Sequence, residues 1–318
     1  MSGTATPSVH PTRRSSTALL AVAIVTTSLV VGLGSVIVWN LYESTYAGAA
    51  PSAVTTFDRS AVPLHVGIAR SPGGPGEWIT FAKVFAQLQQ DLNRPVVVHY
   101  ALTSADQIRM FERGELDVAL MSTLAYLDVR AEGIVSIAAV PVVLNQPTDV
   151  AVLVVPAKSA VRRIEDLRGK RYAVSADLAG VSYAYWLLRQ HDLNPDGFFS
   201  ATPVDVQDVN LTKVAKGQAD ATSVRRSALA MWPAGVFREI EASPGLGSPP
   251  IVVRTSLDSA TAEKIRASLT GPAARSAIPT GSVITGFRTA DDDEYAFARV
   301  LDSIDRRAER KAFGSEHQ

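Results

Sequence analysis

The longest apolar run in the chain is TALLAVAIVTTSLVVGLGSVIVW, Thr17 to Trp39, 23 residues without a charge. At ~1.5 Å per helical residue it reaches across a ~30 Å hydrocarbon layer, which predicts a transmembrane anchor. Beyond it, hydrophobic positions come in short bursts of two kinds. Leu64–Ile68, Pro95–Val98, Asp117–Met121, Ile134–Val140, Val150–Val155, Arg171–Ser175 and Ile251–Arg254 read as strands. Trp78, Phe81, Phe85, Leu88 and Leu92 recur at helical spacing, and further helices are predicted over Ala105–Arg113, after Met121, over Ile164–Leu167 (short), Val181–Arg189, Ser259–Leu269 and Asp292–Arg307. In the last of these, Phe297, Val300, Leu301 and Ile304 are the predicted inward face. Strands alternating with helices, including a second unit over Val204–Val224, predict an α/β body with a parallel or mixed sheet covered on both faces.

The flanks of the anchor set its direction. Arg13 and Arg14 precede it, Glu43 follows, and Trp39, Tyr42 and Tyr46 stand where an interfacial aromatic belt would lie, so the N-terminus is expected in the cytoplasm and the body outside. Ala47-Gly48-Ala49 has the form of a signal-peptide cleavage site, but the apolar run exceeds the ~7–15 residues of a signal core, which favours retention. The expected organisation is a cytoplasmic stretch 1–16, the anchor 17–39, a Ser/Thr/Ala/Pro-rich linker 40–62, one lobe from 63–155 plus 250–310, and a second from 156–249.

Composition removes several functions. The 31 basic and 31 acidic residues cancel without any basic block, so nucleic acid is not an expected partner. With no cysteine there is no disulfide, thiolate metal site, cysteine nucleophile or lipoprotein anchor. The five histidines follow no metal-binding spacing, and no phosphate-binding glycine motif or GxSxG elbow occurs, so neither a cofactor nor a catalytic site is expected. Polar residues at the carboxyl ends of the strands are then the candidate chemistry, because open α/β sheets hold ligands there.

Four segments, in order, carry a resemblance. TSADQIRMFERGELDVALMSTLAYL is similar to the part of phosphate, phosphite and phosphonate ABC-transporter substrate-binding proteins that ends in a G-P-x-(S/A)-Y loop. IEDLRGKRYAVS resembles the opening of their second lobe, and PPIVVRTSLDSATAEKIRASL and ITGFRTADDDEYAFARVL resemble their return strand and C-terminal helices. The resemblance implies a two-lobed type II periplasmic-binding fold, with crossovers near Val155 and Ile251 and a small anionic ligand in the cleft for an ABC permease. A ligand-sensing subunit of a membrane signalling system, or an enzyme on the same fold, are the alternatives.

Carried over residue by residue, Tyr126 matches the family tyrosine lining the ligand site, and Ser122 and Thr123 fall in the loop before it. Where the family has a Ser-Thr-Ser-Gly turn whose hydroxyls and amides hold the anion, this chain has Asp177-Leu178-Ala179-Gly180, with Ser175 and Ser182 nearby. Asp177 would cap that helix or repel an oxyanion. A family acidic residue falls on Arg225, which would instead favour a carboxylate, sulfonate or phosphate, and Gln207 stands where a histidine is frequent. Arg70 and Ser71 end the first strand, where a cleft loop is expected.

Overall fold

In the computed structural model, residues 58, 60–69, 75–175 and 177–304 are described, and they fall within one compact unit, Thr56–Gln318. The predicted anchor 17–39, most of the linker, Arg70 and Ser71 lie outside the described residues. Among the described residues no helix is long and apolar enough to cross a membrane.

Two mixed sheets form the body. The first has the order β11-β4-β10-β3-β1-β2, with β1 Leu64–Ala69, β2 Val96–Ala101, β3 Val118–Leu120, β4 Val135–Val143, β10 Ile251–Arg254 and β11 Ile284–Arg288. β1 pairs in parallel with β2 and β3, while β10 runs antiparallel between β3 and β4. The parallel pairs need crossover helices. α1 (Pro75–Leu92) and α2 (Ser104–Glu112) supply them. Pro75 and Gly76 open α1, where proline's fixed φ suits the first turn and its missing N–H costs nothing. Phe81, Val84, Phe85 and Leu88 are buried on one face of it, as the spacing predicts.

The second sheet has the order β7-β6-β8-β5-β9, with β5 Val150–Pro156, β6 Arg171–Ala173, β7 Ser200–Ala201, β8 Ala221–Arg225 and β9 Phe237–Gly245. β5 is the apolar VAVLVVP run, and it is buried from Ala151 to Val155 because it lies between β8 and β9. The chain therefore crosses from the first sheet to the second between Val143 and Val150, ahead of the crossover expected near Val155, and returns between Gly245 and Ile251.

Helices α3 (Thr123–Arg130), α4 (Tyr183–Gln190), α5 (Gln207–Ala215), α6 (Arg226–Leu229), α7 (Ser259–Thr270) and α8 (Pro272–Ala277) follow their strands, and residues 296–304 form α9. A π turn, Leu178–Ser182, runs directly into α4. On α9 the inward face is Ala298, Leu301 and Ile304, whereas Val300, expected to face inward, is exposed. A 3₁₀ turn over Asp292–Tyr295 precedes the helix, and within the helix the buried stripe is centred near Leu301, from which Val300 is turned by about 100°.

One apolar cluster runs through both sheets. It joins Phe111, Leu116 and Met121 of the first with Leu153, Tyr172, Tyr183 and Leu187 of the second. Phe297 of α9 meets Trp186 of α4 edge-on at 4.9 Å, fastening the C-terminal helix to the second sheet.

Candidate functional site

Three strand ends and the return segment meet at one arginine. Arg225 closes β8 and is nearly buried, with 12% of its side chain exposed. Its Nη2 donates to Thr123 Oγ1 of the first sheet's α3 at 3.1 Å, and its Nη1 to the carbonyl of Gly247 at 3.0 Å. A guanidinium with five fixed donors can bridge three segments in this way, which an ammonium on a flexible stem cannot. Thr123 reaches the arginine because Ser122 caps α3, its hydroxyl accepting from Ala125 N at 3.2 Å, and so starts the helix immediately after β3.

On the other side of Arg225 stands the departure that the sequence flagged. Asp177 Oδ1 accepts from Ala179 N at 2.6 Å, and Asp177 Oδ2 accepts from Gln207 Nε2 at 2.5 Å and lies 4.0 Å from Arg225 Nε. Gln207 in turn accepts from the backbone N of Arg225 through Oε1 at 2.7 Å. Only one orientation of the amide serves both neighbours, since the peptide N–H needs an acceptor and the carboxylate a donor.

The segment that carries Asp177 is held from below. Asn210 of α5, fully buried, donates to the carbonyl of Val174 at 2.8 Å. Ser175, also buried, pairs in a parallel bridge with Asp205, and its Oγ accepts weakly from Asp177 N at 3.4 Å. The π turn then wraps so tightly that a Cβ at Gly180 would sit 2.3 Å from the carbonyl of Ser175, so only glycine fits. In that turn Gly180 N donates to the carbonyl of Asp177 at 2.8 Å and Val181 N to that of Ser175 at 3.2 Å. Ser182 is buried within it.

Tyr126 is placed differently from the expectation that its hydroxyl faces a ligand. Its ring is 3% exposed and lies 4.7 Å from that of Tyr295, and its hydroxyl donates to Asp292 Oδ1 at 2.8 Å. Asp292 is also held by Arg130 and by Arg299, the latter at 2.9 Å. Burial first, and then the Asp292 carboxylate, hold the Tyr126 phenol well above the ordinary tyrosine range.

Tyr295 completes the support: its hydroxyl donates to the carbonyl of Ser248 at 2.7 Å. Gly247 has φ +72°, and a Cβ there would approach the Tyr295 ring to 2.8 Å. The return segment therefore lies between Arg225 and Tyr295.

Of the sequence-derived candidates, Thr123, Asp177, Gln207 and Arg225 converge, Ser175 lies beneath them, Ser122 acts as a cap, and Tyr126 lies on α3 with its hydroxyl on Asp292. Asp292, Arg130, Arg299, Gly247 and Tyr295 were not singled out by sequence. Of these only Gly247, within the Pro/Gly-rich stretch from Pro244 to Pro250, carries a local sequence signal. A surface depression of about 440 Å³ involves other residues, among them Asp166, Lys170 and Asp220. Its carboxylates already accept from the backbone of Arg162 and from Arg171.

A family model described as the periplasmic substrate-binding protein of phosphonate ABC transporters matches residues 79–295. Among solved structures, a binding protein component of an ABC phosphonate transporter from Pseudomonas aeruginosa superposes with a TM-score of 0.61 at 17% identity, covering 78% of this chain and 87% of that one. PhnD1 from Prochlorococcus marinus in complex with methylphosphonate gives 0.60 at 12% identity, covering 78% and 98%. The periplasmic aliphatic sulphonate binding protein SsuA from Escherichia coli gives 0.52 at 14%, covering 79% and 94%. A comparison with curated protein sequences finds no match.

Proposed function

The chain belongs to the family of periplasmic substrate-binding proteins of phosphonate ABC transporters, and from that premise we propose that it captures a small oxyanion between its two sheets and presents it to the permease. Binding, not chemistry, is the activity of this family, and an extracytoplasmic location and a permease partner follow from membership. The finer reading has three parts: the ligand is a phosphonate, phosphate, phosphite or sulfonate, Arg225 is its cationic partner, and the helix predicted over 17–39 tethers the body to the membrane.

The observation that supports it is the place of Arg225. A nearly buried guanidinium at a strand end, bonded to Thr123 of the other sheet, can respond to a ligand by holding both halves around it. Gln207 adds a neutral donor beside it. The sulphonate-binding neighbour is the reason to include sulfonates in the ligand set.

The test is a thermal-shift and calorimetric screen of the purified body against phosphate, phosphite, methylphosphonate, ethanesulfonate and acetate. At a hundredfold excess over the dissociation constant, the true ligand adds about 2.7 kcal/mol of stability. If every anion leaves the melting curve unmoved, the oxyanion reading is wrong. For the tether, the full chain is expected in the membrane fraction after carbonate extraction, and a chain lacking 1–39 in the soluble one; the full chain released by carbonate refutes it.

A further inference from the structure

We infer that the Asp177 carboxylate is an internal competitor for the ligand's anionic group, and that the need to displace it sets how tightly the cleft takes an oxyanion. The inference rests on the oxyanion reading above and assigns a specificity-determining residue to it.

Three donor groups that could serve an oxyanion converge here, and Asp177 already engages or faces each. Its Oδ1 takes the Ala179 amide and its Oδ2 takes the Gln207 amide and lies opposite the one guanidinium nitrogen of Arg225 not bonded to Thr123 or Gly247. The next two amides of the turn, Gly180 N and Val181 N, donate to backbone carbonyls of the same segment. A carboxylate bound through two oxygens to a helix-start amide, a side-chain amide and an arginine makes the contacts that a free oxyanion would make.

The Asp177 side chain is 34% exposed and that of Arg225 12%, so the carboxylate is the more solvent-open member of the pair. An anion that approaches the guanidinium does so beside a group of like charge. Entry therefore requires Asp177 to swing out, after which Ala179 N, Gln207 Nε2 and Arg225 Nε are released together for the incoming oxygens.

An ordinary helix cap would do none of this, and the two roles separate by substitution. Asp177→Asn keeps the acceptor for Ala179 N and the side-chain size but removes the charge; Asp177→Ser keeps a capping hydroxyl in a shorter side chain. Wild type and both variants are titrated by calorimetry with inorganic phosphate, phosphite, methylphosphonate and ethanesulfonate at one ionic strength, with melting curves to verify folding. The inference expects at least one of these anions to bind the variants about tenfold to a hundredfold more tightly than wild type, as removal of a nearby like charge requires. If at least one anion binds but none binds either variant more than about twofold more tightly than wild type, Asp177 is a cap only: the inference falls and the oxyanion reading stands. If no anion binds any of the three, the oxyanion reading falls and takes the inference with it. Should Asp177→Asn fail to fold, Asp177→Ser decides by the same criteria.

Discussion

Replacing Tyr126 by phenylalanine distinguishes a tyrosine that holds the ligand from one that holds the fold. The substitution removes the hydroxyl that donates to Asp292 Oδ1 at 2.8 Å and leaves the ring beside Tyr295. A hydrogen bond to a charged acceptor contributes about 1.5–3 kcal/mol. The lower end applies here, because Asp292 keeps Arg130 and Arg299 and is not left as an unpaired carboxylate. A loss of about 1.5 kcal/mol in a body of this size lowers the melting temperature by roughly 3–6 °C. Urea unfolding should give the same loss as a lower midpoint at unchanged slope, and affinity for the ligand found in the screen should stay within about twofold. The opposite pattern, an unchanged melting curve with at least about tenfold weaker binding, would refute the reasoning and return the phenol to the ligand.

Two further outcomes follow from the same region. Burial holds the phenols of Tyr126, Tyr172, Tyr183 and Tyr295 above the ordinary tyrosine range. Groups whose folded pKa is raised stabilise the fold fully below the unfolded value near 10 and lose that contribution as pH rises toward the folded one. Stability should therefore decline above about pH 10, with the ultraviolet signal of these four phenolates appearing together with loss of the near-ultraviolet circular dichroism; ionisation of all four in a folded protein contradicts it. Gly247→Ala should destabilise by about 1–3 kcal/mol, since a side chain at φ +72° is strained and its Cβ meets the Tyr295 ring; unchanged urea unfolding would show that the return segment relaxes freely.

What could be read in the sequence depended on how locally each feature is encoded. β3 and β5 are buried on both faces, so their apolar runs were plain, and the helical stripe of Phe81, Phe85 and Leu88 was equally so. β9 was missed. Its sequence, FREIEASPG, carries charges and a Pro-Gly end because it is an edge strand, and its register with β5 slips twice. β11 was hidden in the same way, five residues with a glycine inside, pairing only with β4.

The candidate site shows the same division. Thr123, Asp177, Gln207 and Arg225 were reached position by position through the family resemblance, but their mutual bonds join positions 18 to 102 apart, which no local pattern specifies. Tyr126 was assigned to a ligand because it matches the family tyrosine, and the partner its hydroxyl has here is remote in sequence. Asp292 lies 166 residues further on, beyond the whole second sheet.

The position of β10 has a consequence for how the body is made. It is the strand between β3 and β4, yet in the chain it follows all five strands of the second sheet. While the polypeptide emerges from its N-terminus, residues 150–245 can close their own sheet, whereas β3 and β4 wait with facing unpaired edges until residues 251–254 arrive. During that interval the first sheet has an open slot in its middle, the kind of edge to which another emerging chain could add a strand. Completion of the first sheet thus needs a strand encoded beyond the end of the second, and a short peptide with the sequence of β10 is the reagent that would compete for the slot.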